Sequence, residues 1–306
     1  MSTPMRVALF VTALTLVFGT AWGAGRAVED RVGPVTTATD DHAGDTDAHD
    51  TDADAGHEVD TAGHVPGGLQ VSDSGYTLVL PASGLEPGRS TLRFVVTGPD
   101  GEPVTAYDEE HEKDLHLIAV RRDLSGYQHV HPTMAADGTW TTDVDLTPGS
   151  WRVFADFTPT GGPTLTLGTD LDVAGRFTPA PHPGSRVSDT VDGYTVDLEG
   201  DLDAGAVTVR VSRDGEPVTD LEPYLGAYGH LVALREGDLA YLHVHPEAGD
   251  AGPDVPFAVE VPSAGGYRLF FDFKHDGVVR TAELAVRSHG TDTHADTDEE
   301  GMGDDH

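Results

Sequence analysis

Three histidines recur at one fixed spacing in this chain. His116, His129 and His131 precede Pro132, and His230, His243 and His245 precede Pro246, each position displaced by the same 114 residues. The flanking stretches LHLIAVRRDLSGYQHVHP (115–132) and HLVALREGDLAYLHVHP (230–246) keep that offset. It already holds where Asp100-Gly101-Glu102-Pro103-Val104-Thr105 matches Asp214-Gly215-Glu216-Pro217-Val218-Thr219. The chain therefore contains an internal repeat. Three imidazoles brought to one point are what a divalent ion with nitrogen ligands requires.

The spacing predicts that convergence. Residues 230–235 and 240–245 are short apolar runs on either side of Gly237-Asp238, a Gly-first hairpin signal. Pairing Glu236 with Leu239 sets His230 opposite His245, on the face that also carries His243 two places along. Opposite residues have Cβ atoms about 5 Å apart and diagonal ones about 7–8 Å. The first copy has the same loop length, although Asp123-Leu124 are poor turn formers. Each module is thus expected to hold one three-histidine site, and the two sites to share no ligands.

Downstream, SWRVFADF (150–157) matches GYRLFFDF (266–273), each run placing one carboxylate among aromatic and aliphatic neighbours. A charge in such a run is costly to bury unless paired or bound to metal. Asp156 and Asp272 are therefore candidate ligands, or acceptors for an imidazole N–H; the competing reading pairs them with Arg152 and Arg268. Ile118, Val120, Val232 and Leu234 share the histidine face, so a packed interior in which the imidazoles bond to backbone competes with a metal site.

Composition sets the class. The chain has 306 residues, with 53 Asp and Glu against 18 Lys and Arg, a net charge of −35 and no cysteine. Such a chain repels nucleic acid and anionic membrane surfaces and attracts cations. Disulfides, thiolate metal sites and a cysteine nucleophile are excluded. Residues 1–25, apolar from Val7 to Trp22 behind Arg6, form a signal peptide or membrane anchor, predicted as a helix, and the chain's only expected membrane contact. Export follows, to a secreted or anchored extracytoplasmic location. Residues 26–67 and 289–306 are Asp/His-rich and too polar to bury a core, predicting a disordered linker and tail.

Between these tails lie residues 68–175 and 188–288, joined by a stiff linker (176–187) that contains Pro179, Pro181 and Pro183. Each module shows short alternating runs punctuated by turn signals, with no helical periodicity. The fold class is all-β, as two tandem immunoglobulin-like β-sandwich modules. On the His-x-His-Pro hairpin and this strand pattern, the chain resembles exported actinobacterial proteins with tandem immunoglobulin-like modules. More distantly, it is similar to the β-sandwich proteins of extracytoplasmic copper resistance. That second resemblance implies copper, but those proteins bind Cu(I) through Met-rich loops. Here Met134 alone lies near a site, so the departure favours copper(II) or zinc, which accept imidazole and carboxylate.

The reading that follows is an extracytoplasmic copper- or zinc-binding protein, a buffer or chaperone for divalent ions that works with a metal transporter or sensor outside the membrane. The alternative is a structural or interaction protein of the cell surface. A metal-dependent enzyme is the weaker alternative, since three histidines with an open position also describe catalytic zinc. No G-x-S-x-G, H-E-x-x-H or P-loop signal accompanies them.

Overall fold

In the computed structural model strands such as Gly88–Thr97 and Ala206–Arg213 alternate in burial with period two, whereas the histidine strands His116–Arg121 and His230–Arg235 are buried on both faces, and that difference decides how the molecule is built. The structure describes residues 65–80, 85–242, 244–247 and 249–290. The apolar N-terminal segment, nearly all of both Asp/His-rich tracts, and His243 lie outside the described residues, as does the side chain of His245.

Two β-sandwiches follow one another. In the first, one sheet runs Ser72–Asp73, Tyr76–Val79, Gly88–Thr97, Trp140–Leu146, Thr133–Met134. The facing sheet runs Leu165–Val173, Gly149–Pro159, His116–Arg121, Gln128–Val130. The second sandwich repeats the plan. Ser188–Val191, Tyr194–Asp201, Ala206–Arg213, Asp254–Val259 and Val244–Pro246 face Tyr241–Leu242, His230–Arg235, Gly265–His275 and Val278–Ser288. These are two tandem immunoglobulin-like modules. Their cores are built on Phe94, Trp140, Trp151 and Phe157 in one, and on Tyr194, Phe257, Tyr267 and Phe271 in the other.

Residues on opposite faces of a strand go to opposite sides of the sheet. In His116–Arg121 the inward residues Leu117 and Ala119 join the core of their own module. The outward residues Ile118 and Val120 are equally buried, at 0% exposure. They join Leu124 and Phe154, together with Val232, Leu234, Leu239 and Phe270 of the second module, in one apolar cluster between the modules. The contacts are reciprocal. Tyr127 stacks on Phe270 with ring centroids 4.0 Å apart, and its repeat equivalent Tyr241 lies 5.7 Å from Phe154. This is the isologous contact of a twofold dimer, made within one chain.

The two modules are therefore docked through their histidine sheets. The segments that enter and link them are pinned at the junction. Tyr241 N–H donates to Gly67 O at 2.9 Å, Gly68 N–H donates to Thr166 O at 2.7 Å, and Arg152 donates to Gly68 O. Gly68 has a φ of +73°, and a Cβ there would meet the Phe154 ring at 2.5 Å, so only glycine fits. In the linker, the Ala180 N–H donates to Asp123 at 2.7 Å.

Where the hairpins pair, the register is the one that the spacing predicts: Leu117 with Val130 and Ile118 with His129, and Ala233 with Leu242 and Leu234 with Tyr241. His245, expected opposite His230, pairs instead with Ala258, because the chain has crossed to the opposite sheet. The turns differ from expectation. The second is a four-residue loop in which Leu239 N–H donates to Arg235 O, not a two-residue Gly-Asp turn. The first, despite its poor turn formers, keeps the same register. A two-pronged Arg121–Asp123 ion pair braces it, as Arg235–Asp238 braces the other. Leu124 and Leu239 each adopt positive φ, +63° and +65°, and point into the junction. Burial of leucine there overrides turn propensity.

Because the junction is a third apolar core, loosening it should uncouple the modules. Phe270→Ala is expected to cost about 3–5 kcal/mol and to split one unfolding transition into two, read by calorimetry. A single transition with an unchanged midpoint would contradict the docked arrangement.

Candidate metal centre

The outward face of each histidine sheet is graded along its length. Near the turns it carries Ile118, Val120 and their counterparts; toward the other end it carries His116 and His129, or His230. Docking the apolar ends against each other encloses the polar ends in one cavity. Its walls include His111, His116, His129, Asp156, His230 and Tyr241.

The first copy's three histidines converge. Ring centroids are 5.3 Å apart for His116 and His129, 5.0 Å for His116 and His131, and 4.9 Å for His129 and His131. One ligand nitrogen from each lies within 4.8 Å of the others. The chain crosses between sheets here: Gln128–Val130 pairs in the histidine sheet, Thr133–Met134 in the opposite one, and His131-Pro132 spans the gap. Proline, which lacks an N–H, loses no ladder bond at such a crossing.

Hydrogen-bond partners fix the tautomers. His116 Nε2 lies 3.0 Å from Glu110 O. A backbone carbonyl only accepts, so Nε2 carries the proton and Nδ1 keeps its lone pair. His129 Nδ1 lies 2.9 Å from an Asp272 carboxylate oxygen, so the proton is on Nδ1 and Nε2 is free to bind. These two lone-pair nitrogens are 3.1 Å apart. They repel unless a proton or a cation lies between them. Nitrogens at about 2.0–2.1 Å from a tetrahedral zinc are separated by roughly 3.3 Å, close to this spacing. The third, His131 Nε2, is buried with no hydrogen-bond partner among the described residues. A buried nitrogen in that state calls for a ligand of its own.

In the second module His230 repeats the arrangement of His116. Its Nε2 donates to Tyr224 O at 2.8 Å, as that of His116 does to Glu110 O. His230 also stands opposite Asp272 in its sheet, as His116 stands opposite Asp156. Neither aspartate pairs with the nearby arginine. Arg152 goes to Asp170 and the carbonyls of Gly68 and Leu69, and Arg268 goes to Glu283. Asp156 accepts from Thr166 Oγ1 at 3.0 Å and Asp272 from Thr281 Oγ1 at 2.5 Å. The expectation that the two sites are independent fails here, because Asp272 of the second module holds His129 of the first. Spacing within one copy cannot reveal a partner supplied by the other.

His111 is a cavity residue that the repeat could not reveal, since its counterpart is Leu225. Its ring lies 5.2 Å from His230 and 6.1 Å from His116. The turn that presents it, closed by reciprocal bonds between Glu110 and Lys113, puts His111 and Glu112 at φ +48° and +62°. The matching turn in the second module has Leu225-Gly226. Two consecutive non-glycine residues at positive φ are strained. The one signal in the sequence is an unmatched histidine five residues ahead of His116.

Burial pushes His116 down to about 3, reinforced by neighbouring His129 and His230 against the Glu110 carbonyl, and pushes His131 down to about 3. His230 is lowered to about 4, again chiefly by burial. All three are neutral at pH 7, with lone pairs available.

A family described as "Domain of unknown function (DUF8832)" matches this chain twice, over residues 70–175 and 189–290. No curated protein matches it. Among solved structures it is similar to the adhesin InvE of Yersinia pseudotuberculosis, with 14% identity over 71% of this chain and 60% of that one, TM-score 0.23. It is also similar to the Escherichia coli adhesin FdeC, with 15% identity over 71% of this chain and 65% of that one, TM-score 0.24. The chain thus spans less than two thirds of either structure. Likeness at this level carries no functional argument.

Two predictions follow from the cavity. Without metal, the unfolded chain protonates its histidines near pH 6.5 while the folded chain resists, so stability is complete above that pH. It should fall as pH drops toward 3–4, by up to about 1.4 kcal/mol per pH unit for each histidine, and less for the partly exposed His131. Urea midpoints measured in chelator across that range test this, and a flat profile contradicts it. Separately, Glu112→Gly relieves one strained residue and should raise stability by roughly 0.5–1 kcal/mol, read in the same assay.

Proposed function

The chain belongs to the DUF8832 family, and from the three imidazole nitrogens gathered at its module junction we propose that it binds a divalent ion, copper(II) or zinc, outside the cytoplasm. The observation that carries this reading is the donor set: His116 Nδ1, His129 Nε2 and His131 Nε2. Two of them are fixed as lone-pair bearers by their partners, and the third is buried without one among the described residues. Nitrogen donors with a carboxylate behind one imidazole suit copper(II) and zinc. Both acidic tracts and the net charge of −35 favour the approach of cations. The apolar segment at residues 7–22 supports an extracytoplasmic place, where the chain would buffer ions or exchange them with a transporter or sensor. We read the site as a binding site rather than a catalytic one.

A second reading rests on the 3.1 Å contact between His116 and His129. A proton shared there would make the cluster a fastener between modules, and the chain a rigid structural or interaction protein of the cell surface.

Metal titration separates the two. Calorimetry on a chain trimmed to residues 65–290 should show saturable zinc or copper(II) binding at neutral pH. His131→Ala should weaken it by about a hundredfold or more while leaving metal-free stability nearly unchanged, because that nitrogen bonds to nothing else described. Absence of saturable binding at neutral pH would leave the fastener reading standing.

A further inference from the structure

The three donor nitrogens do not owe their readiness to the same module. His116 is set from within its own module by the Glu110 carbonyl. His129 is set from across the junction by Asp272, with both side chains nearly inaccessible, at 6% and 4% exposure. Asp272 is itself held firmly. One oxygen accepts from Thr281 Oγ1 at 2.5 Å, Thr281 being its direct partner in the sheet, and the other accepts from His129 Nδ1 at 2.9 Å. The carboxylate is thus a fixed point of the second module that reaches the first only when the two are docked. Docking is secured separately, by the apolar cluster of Ile118, Val120, Leu124, Phe154 and their counterparts.

Removing that carboxylate has a specific chemical consequence. With no acceptor at Nδ1, the neutral His129 ring can carry its proton on Nε2, which lies 3.1 Å from the lone pair of His116 Nδ1. An ordinary hydrogen bond then joins the two rings. That bond occupies both nitrogens, so two of the three donors are lost to an ion unless it is broken. Asp272 holds the pair in the opposite state, with two lone pairs facing each other, unsatisfied and ready.

We propose that Asp272 is a positioning residue for the first module's ion site, acting across the module junction, so that tight ion binding and module docking are linked. The proposal rests on the ion-binding reading above. Linkage is reciprocal: whatever loosens docking weakens the ion, and the ion tightens docking by the same factor. The ion would therefore report, or set, the relative placement of the two sandwiches.

The test uses the full chain and has a metal-free arm. Two-bond proton–nitrogen NMR, with His129 assigned by its loss in His129→Gln, should show the Nδ1–H tautomer in the wild type and the Nε2–H tautomer in Asp272→Ala. In the second arm, competition with a chelator gives the affinity for zinc. Asp272→Ala should weaken the tight site by about ten- to a hundredfold. Asp272→Asn, whose amide oxygen still accepts the N–H, should fall between. Leu239→Ala, which loosens the junction from the hairpin tip without touching a histidine or carboxylate, should also weaken zinc measurably. Tight wild-type binding with Asp272→Ala and Leu239→Ala each within threefold of it overturns the linkage and leaves the ion reading intact. An unchanged His129 tautomer in Asp272→Ala overturns the positioning role. No tight zinc site in the wild type overturns the linkage through failure of the ion reading itself. Should Asp272→Ala not fold, the Asn and Leu239 variants still decide.

Discussion

A strand that is apolar on both faces has to be covered twice. In His116–Arg121, Leu117 and Ala119 are covered by the opposite sheet of their own sandwich, but Ile118 and Val120 point the other way and are just as buried. A single module has nothing to put over them. The repeat answers this with a second copy of the same face, turned so that Tyr127 meets Phe270 and Tyr241 meets Phe154. Much else serves this contact: leucines at positive φ that dip from both hairpin tips, a glycine that slips past Phe154, and a linker held to Asp123. The modules are less two beads on a string than two halves of one junction.

Enclosure of the apolar end encloses the polar end with it, and burial changes what the histidines are. In water an imidazole satisfies both nitrogens with solvent. In the cavity each nitrogen needs a named partner. The Glu110 and Tyr224 carbonyls take one proton each, and the Asp272 carboxylate takes a third. What remains is a set of lone pairs without donors among the described residues, in rings whose protonation burial opposes. The two copies have diverged most tellingly at the loop above this cavity. The first spends a strained His-Glu turn where the second has Leu-Gly, so the cavity gains an imidazole on one side only. Leu225 shares the positive φ of His111, so the strain particular to the first copy lies at Glu112, where the second has Gly226.

The sequence carried the fold and the hairpin geometry for a simple reason: period-two alternation and loop length act locally. The spacing 116, 129, 131 alone gives the register in which Ile118 faces His129, and it places three rings on one face. It also showed that Ile118, Val120, Val232 and Leu234 share that face, which is the hint that the face is covered. Two competing readings, a packed interior and a gathering of imidazoles, turn out to be two ends of the same surface. What spacing could not supply was the identity of the cover. The partner of His129 comes from 143 residues away, and no offset of 114 leads to it. Asp272 looked like a ligand for its own copy because a lone carboxylate in an apolar run is costly to bury, and the structure does set it opposite His230 in the sheet. Its side chain has a second direction, across the junction, which only docking defines. The turn failed for a related reason: propensity favoured Gly-Asp at the tip, but a leucine with an apolar pocket to fill outweighs it.

The three histidines also differ in how freely each can move, and the difference follows from where the backbone goes. His116 is locked in a ladder against Asp156 and by a carbonyl at its far nitrogen. His129 pairs in the same sheet at Ile118, and its ring answers to the other module. His131 belongs to neither ladder, because it sits in the step between sheets, one residue before Pro132. Its ring nonetheless comes within 5.0 Å of His116 and 4.9 Å of His129, with Nε2 buried and unbonded among the described residues. A side chain held there by hydrogen bonds would need no explanation, and one turned outward would be solvated. Being turned inward with an unsatisfied nitrogen costs free energy that a packed apolar residue at that position would avoid. The arrangement of one rigid donor, one set by docking and one left adjustable makes physical sense for a site that closes on something. It makes little sense for a cluster whose only task is to hold two sheets together, since the apolar end of the same face already does so.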